Sequence, residues 1–132
     1  MRTDLKCILV DDDDFNNVLT SMAIEDALGE VDINAFTRPE DGLEFIQNKN
    51  VGNPDHNILF LDINMPKING WEFLERFEKF SEKVKKRVNI YILSSSIDKR
   101  DKEKATSDKN VKGFISKPLT IETILSIAKH EF

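Results

Sequence analysis

The sequence predicts a doubly wound α/β domain in which five parallel strands alternate with five helices, (βα)5. Short apolar runs rich in branched residues recur along the chain and do not alternate with polar residues, which suits strands covered on both faces. The segments between them carry helical periodicity. At 132 residues and 39% hydrophobic, the chain can fill one ordinary core, so residues 1–132 are expected to form a single domain.

The first strand is Ile8-Leu9-Val10, and the helix after it spaces Phe15, Val18, Leu19 and Met22 along one stripe before Gly29 stops it. Val31 to Phe36 alternates more and suits a strand nearer an edge. Thr37-Arg38-Pro39-Glu40 announces the second helix, with Thr37 as cap, Glu40 closing a capping box and Pro39 in the first turn. Its Leu43 and Ile46 are expected to face the core. Gln47 to Asn57, with Gly52 and Pro54, reads as a longer turn before the third strand, Ile58 to Leu61. The third helix carries Phe73, Leu74, Phe77 and Phe80 on one stripe. After the fourth strand, Ile90 to Leu93, a helix from about Asp98 to Ala105 has a mostly charged face and is expected to be mobile or to face a partner. Phe114-Ile115 is the fifth strand, and Ile121, Ile124, Leu125 and Ala128 mark the fifth helix. The apolar stripes on these helices read as core rather than as cofactor boxes.

Composition excludes several classes. A formal charge of −5 opposes a surface built to bind nucleic acid directly. The basic runs Lys83, Lys85, Lys86, Arg87 and Lys99, Arg100, Lys102, Lys104 read as solvated faces or helix-end complements. The apolar run near the start stops at Val10, so no signal peptide is read, and no run reaches membrane-spanning length. A cytoplasmic location is expected. Cys7 has no disulfide partner and reads as a buried packing residue.

The chemistry gathers where polar residues end the apolar runs: Asp11 and Asp12 after the first strand, Asp62 after the third, Ser94 and Ser95 after the fourth, Lys117 after the fifth. Strand C-termini of an open parallel sheet share one edge, so these side chains should converge on one crevice. Three carboxylates brought together repel one another unless a cation neutralises them. Oxygen-only donors without Cys or His favour magnesium. Lys117 adds a point charge and Ser94 a hydroxyl, and together they would stabilise a phosphoryl group passing in line to a carboxylate, giving an aspartyl phosphate.

Asp62-Ile63-Asn64-Met65-Pro66 with Gly70 four residues on, Gly113-Phe114-Ile115-Ser116-Lys117-Pro118, and Val10-Asp11-Asp12-Asp13 together resemble the receiver domains of two-component response regulators, over essentially the whole chain. The resemblance implies a free-standing, chemotaxis-regulator-like receiver without an output domain and the flavodoxin-like strand order 2-1-3-4-5. It implies Asp62 as phosphoacceptor, Asp12 and Asp62 as direct magnesium ligands, Asp11 as a ligand mainly through water, and the Asn64 carbonyl as a further ligand. Lys117 would hold a phosphoryl oxygen, Ser94 would be the hydroxyl that moves to the phosphoryl group, and Ser95 the small residue that admits it. Phe114 would be the aromatic whose rotamer reports the change, without the hydroxyl of the tyrosine some relatives carry. Pro118 would follow a cis bond, and Ser96 and Asn64 would tune hydrolysis.

A sensor histidine kinase or histidine phosphotransfer protein would donate, and slow self-hydrolysis would reset what is a switch rather than a turnover enzyme. The signal would leave through the surface of the fourth helix, fifth strand and fifth helix to a downstream protein, the chain being a monomer or a phosphorylation-dependent dimer. The rival reading is a non-phosphorylated interaction module of the same fold.

Other readings of the aspartate run fare worse. As a calcium loop it puts Asn17 where glycine and Ala23 where glutamate is needed. A dehalogenase-like phosphatase, with Asp11 attacking, wants threonine or valine at Phe15, and a flavin carrier wants a Ser/Thr/Gly loop where four aspartates stand. Asp13 and Asp14 read as caps of the first helix. His56 and His130 read as surface residues.

Overall fold

The computed structural model describes residues 5–50, 56–95 and 98–131. β1 (Leu5–Val10) leads into α1 (Asp14–Leu28), then β2 (Asp32–Phe36) and α2 (Pro39–Phe45), which runs on as a π-helical turn, Ile46–Asn50. β3 (His56–Leu61) is followed by α3 (Gly70–Glu78) and a short α4 (Glu82–Lys85). β4 (Val88–Ser94), α5 (Lys99–Ser107), β5 (Val111–Ser116) and α6 (Ile121–Glu131) complete the chain. All neighbouring strands pair in parallel, in the order β2-β1-β3-β4-β5. The predicted architecture and strand order are therefore those observed, and the alternating strand β2 lies at an edge.

Successive strand residues point to opposite faces, so each apolar run feeds two cores. Ile8, Val10, Leu59, Leu61, Ile90 and Ile92 pack on one face with Leu43, Ile46, Phe73, Leu74 and Phe77. Cys7, Leu9, Ile58, Phe60, Tyr91 and Leu93 pack on the other with Ile24 of α1 and Ile124 and Ile127 of α6. Burial pushes the Cys7 thiol up to about 12, with a smaller contribution from Asp32, so it is a neutral packing group.

Three expectations are corrected. The stripe of α1 does not face the core: Phe15, Val18, Leu19 and Met22 are 65%, 50%, 46% and 54% exposed, whereas Asn17 and Ile24 are buried. The reason is polar. The Asn17 amide donates to the Asp11 and Phe36 carbonyls at 3.1 and 3.4 Å, and a buried amide must keep such partners, which fixes the rotation of the helix. On α6, Ile124 and Ile127 are buried and Ala128 half-buried, while Ile121 and Leu125 are exposed.

The capping box at Thr37 and Glu40 does not form. Pro39 disfavours helical backbone in the residue before it, so Arg38 stays extended (φ −109°, ψ 119°) and takes the cap position without a side-chain bond. A capping box does form at α3, where the Asn69 side chain accepts from the Glu72 N–H (3.0 Å) and Glu72 accepts from the Asn69 N–H (3.4 Å). The basic run before β4 takes the helix-end form expected of it, with Lys83 and Lys85 in the last turn of a short helix, α4. There the nearly buried Lys85 amine meets Glu82 at 3.0 Å and Glu78 at 3.3 Å.

Smaller expectations hold. Asp13 caps α1 by accepting from the Phe15 N–H, Asp14 lies in the first turn, and Gly29 ends the helix at φ 81°, where a side chain would be strained. Phe80 lies just beyond α3 and meets Phe77 edge-on at 5.8 Å. α5 buries only Ala105, in keeping with its charged face. Part of the turn Gln47 to Asn57, Ser96, and the side chains of His56 and His130 lie outside the described residues. Among the described residues no helix is long and apolar enough to cross a membrane.

Candidate functional site

Three main-chain bonds carry the sheet past its last regular pairs and draw the strand ends together. The Asp11 N–H donates to the Phe36 carbonyl (3.1 Å), the Asp62 N–H to the Val10 carbonyl (2.9 Å), and the Lys117 N–H to the Ser94 carbonyl (2.9 Å). With the parallel pairing of β3 and β4, which runs to Leu61 opposite Ile92, these bonds fix the residues that end β1, β3, β4 and β5 along one edge.

The Lys117 amine lies 2.8 Å from an Asp11 carboxylate oxygen and 3.5 Å from one of Asp62. Asp11, Asp12 and Asp62 each bring a carboxylate oxygen within 4.8 Å of the others. Asp11 and Asp62 are buried and Asp12 is exposed, so the cluster opens to solvent on one side. The second Asp11 oxygen accepts from the Asp13 N–H at 2.9 Å.

Burial pushes the Asp62 carboxyl up to about 6, and the neighbouring Asp11 charge adds to it; Lys117 and the Asn64 N–H, which bonds the carboxylate, oppose the rise. Burial alone would pull the Lys117 amine down, but Asp11 and Asp62 outweigh it and raise it. The amine stays charged at neutral pH. Three carboxylates against one amine leave an excess of negative charge, and all the donors are hard oxygens. That is a fit for a divalent cation of the magnesium type.

The remaining predicted residues take these positions. Ser94 is fully buried at the end of β4 and Ser95 is exposed just beyond it. Asn64 is exposed in the loop after β3. Phe114 is half-buried in β5, opposite Ile92, and packs on the core layer containing Phe73. The Lys117–Pro118 peptide is cis.

The loop carrying Asp62 is anchored by buried Ile63, Met65 and Ile68. It closes where the Gly70 N–H donates to the Ile63 carbonyl at 2.8 Å. A Cβ at Gly70 would meet Ile63 Cα at 2.8 Å and the Asp62 carbonyl oxygen at 2.9 Å, both main-chain atoms. Gly70→Ala is therefore expected to cost about 1–3 kcal/mol, read by urea unfolding, and to displace the Asp62 resonances in an NMR spectrum.

Asn17 is the site residue that sequence reasoning missed. Asn17 and Ile24 are seven apart and share a helix face, but that spacing alone does not outweigh the apolar stripe of Phe15, Val18, Leu19 and Met22.

Comparison with known proteins bears on this arrangement. A family model described as the response regulator receiver domain matches residues 7–129. A two-component response regulator from Cytophaga hutchinsonii superposes with a TM-score of 0.85 at 31% identity, covering 98% of this chain and 97% of that one. A response regulator receiver protein from Dyadobacter fermentans gives 0.87 at 25% identity, covering 97% and 98%. A chemotaxis response regulator of Vibrio cholerae shares the fold, with a TM-score of 0.75 at 22% identity, covering 98% and 100%.

Proposed function

The chain belongs to the response regulator receiver family, and on that premise we propose that residues 1–132 work as one receiver unit that accepts a phosphoryl group on Asp62 from a histidine kinase or histidine phosphotransfer protein. The family makes the chain a phosphorylation switch rather than a turnover enzyme. The observation that carries the choice of Asp62 is the Lys117 amine set between its carboxylate and that of Asp11, with Asp12 alongside.

An ionised Asp62 oxygen attacks phosphorus in line, the bond from phosphorus to the donor imidazole breaks, and that nitrogen keeps the electron pair and is reprotonated. With its carboxyl near 6, Asp62 is mostly ionised at neutral pH. Lys117 shifts from the carboxylates to a phosphoryl oxygen, and the Ser94 hydroxyl turns to another. Asp12 and Asp62 would hold magnesium directly, Asp11 through water, and the Asn64 carbonyl would complete the protein's share. The ion would supply positive charge to the phosphoryl oxygens. Ser95, small and exposed, leaves the entrance open.

When Ser94 turns, Phe114 repacks against its core layer and the surface of α5, β5 and α6 changes for a downstream protein. Supporting this, α5 is held by little burial. The donor must reach the mouth of the crevice, where Leu19 lies in one hollow with Lys117 and Pro118. The exposed Phe15, Val18, Leu19 and Met22 offer apolar contact area there. Leu19→Asp is expected to slow transfer from the phosphorylated donor protein about tenfold, as loss of one interface anchor does. Acceptance from acetyl phosphate should be unchanged.

The test is mass spectrometry after incubation with acetyl phosphate and magnesium. A gain of one phosphoryl mapped to Asp62, lost when EDTA is added beforehand, is expected. No gain, with no response to magnesium or beryllofluoride, would leave the chain a constitutive interaction module.

A further inference from the structure

We infer that Asn17 is a positioning residue for phosphoryl acceptance, holding the Asp11–Asp12 peptide so that both carboxylates face the crevice. The inference rests on the reading of the site just proposed and extends it to a residue outside the reacting groups.

Asn17 lies one turn into α1 and is 3% exposed. Its side-chain amide donates to the Asp11 carbonyl at 3.1 Å and to the Phe36 carbonyl at 3.4 Å, while its own N–H donates to the Asp13 carbonyl at 3.2 Å. The Phe36 carbonyl also accepts from the Asp11 N–H. One residue thus grips both sides of the bend at which the chain leaves β1 and enters α1.

The Asp11 carbonyl belongs to the peptide joining Asp11 to Asp12. Fixing that peptide plane fixes one backbone torsion on each side of it, and so fixes where each side chain starts. For Asp11 the setting is complete: N–H, carbonyl and both carboxylate oxygens all have partners, on Phe36, Asn17, Asp13 and Lys117. Asp12 is exposed, and among the described residues its side chain has no comparable tether, so its direction follows that of the peptide. Freed from the Asn17 amide, that peptide can rock, and Asp12 is carried away from Asp11 and Asp62. Groups behind metal-holding side chains commonly contribute a factor of about 10 to 100 in metal affinity.

The test compares Asn17→Leu, close in size but with no donor, and Asn17→Asp, equal in shape but presenting oxygen to two carbonyls. Magnesium affinity is measured by calorimetry, and folding by circular dichroism and thermal unfolding in EDTA. In folded variants an affinity about tenfold weaker than wild type is expected. Acceptance from acetyl phosphate should recover as magnesium is raised in variants that stay folded in EDTA at the assay temperature, where stabilisation by the ion cannot account for the recovery. Folded variants that bind magnesium as tightly as wild type would overturn the inference.

Wild-type protein gives a second measure, independent of whether the variants fold. On titration with magnesium the Asn17 side-chain amide resonance should shift together with the Asp11 and Asp12 signals. Movement of the aspartates with a stationary Asn17 amide would overturn the role of Asn17 alone. Absence of any wild-type response to magnesium would overturn the metal reading and the role of Asn17 with it.

Discussion

Asp62→Asn is expected to abolish phosphoryl acceptance and, with magnesium chelated, to make the folded protein more stable at neutral pH. The first effect follows from removing the nucleophile, since an amide neither ionises nor forms the acyl phosphate. The second follows from linkage. The Asp62 carboxyl titrates at about 6 in the folded chain against 3.8 for an unperturbed group, because of burial first and Asp11 second. The folded state therefore binds this proton more tightly than the unfolded state, and stability falls as pH rises between these values. Below the lower value there is no penalty; above the upper one it is fully present.

Allowing for screening at the open side of the crevice, the penalty is about 1–2 kcal/mol. Asparagine mimics the protonated form, so its advantage in urea unfolding should be present at pH 7 and disappear near pH 4. An advantage equal at both pH values would show that the gain comes from something other than the buried charge.

The same buried charge explains why the site could be read from sequence at all. Carboxylates do not end apolar strand runs by chance of packing, and a parallel sheet sends every strand C-terminus to one edge. The meeting of Asp11, Asp12, Asp62 and Lys117 was therefore legible in the sequence. The strands were equally legible, because Ile58 to Leu61 and Ile90 to Leu93 must satisfy two cores at once.

The setting of α1 was not legible. Phe15, Val18, Leu19 and Met22 have faultless helical spacing, but periodicity says that a face is apolar, not that it is inside. One amide decided the matter: Asn17 satisfies two carbonyls only when its own face is turned to the sheet, which turns Phe15 and Met22 to solvent. At α2 the spacing of Thr37 and Glu40 was right for a capping box, and Pro39 overruled it by keeping Arg38 extended. In both places a single local constraint outweighed a pattern spread over several residues.

Lys117→Gln is expected to be the most damaging change that leaves the acceptor in place. The amine is the cation beside two buried carboxylates, 2.8 Å from Asp11 and 3.5 Å from Asp62. Removing one partner of such a group strands the others, at about 2–3 kcal/mol here because the amine is partly open to solvent. Asp62 also loses the charge that most opposes its upward shift, so its carboxyl should titrate above its present value of about 6.

Acceptance from acetyl phosphate should therefore fall for two separable reasons. Less of Asp62 is ionised near neutrality, a loss that raising the pH recovers. A phosphoryl oxygen also loses its ammonium partner, a loss of about a hundredfold that pH does not recover. The rate profile at fixed low magnesium should show both, as an acid limb moved to higher pH and a plateau far below wild type. A variant with the limb moved but the plateau intact would mean that Lys117 only tunes Asp62. A variant with the plateau lowered and the limb unmoved would mean that its charge is felt by the phosphoryl group and not by the resting acceptor.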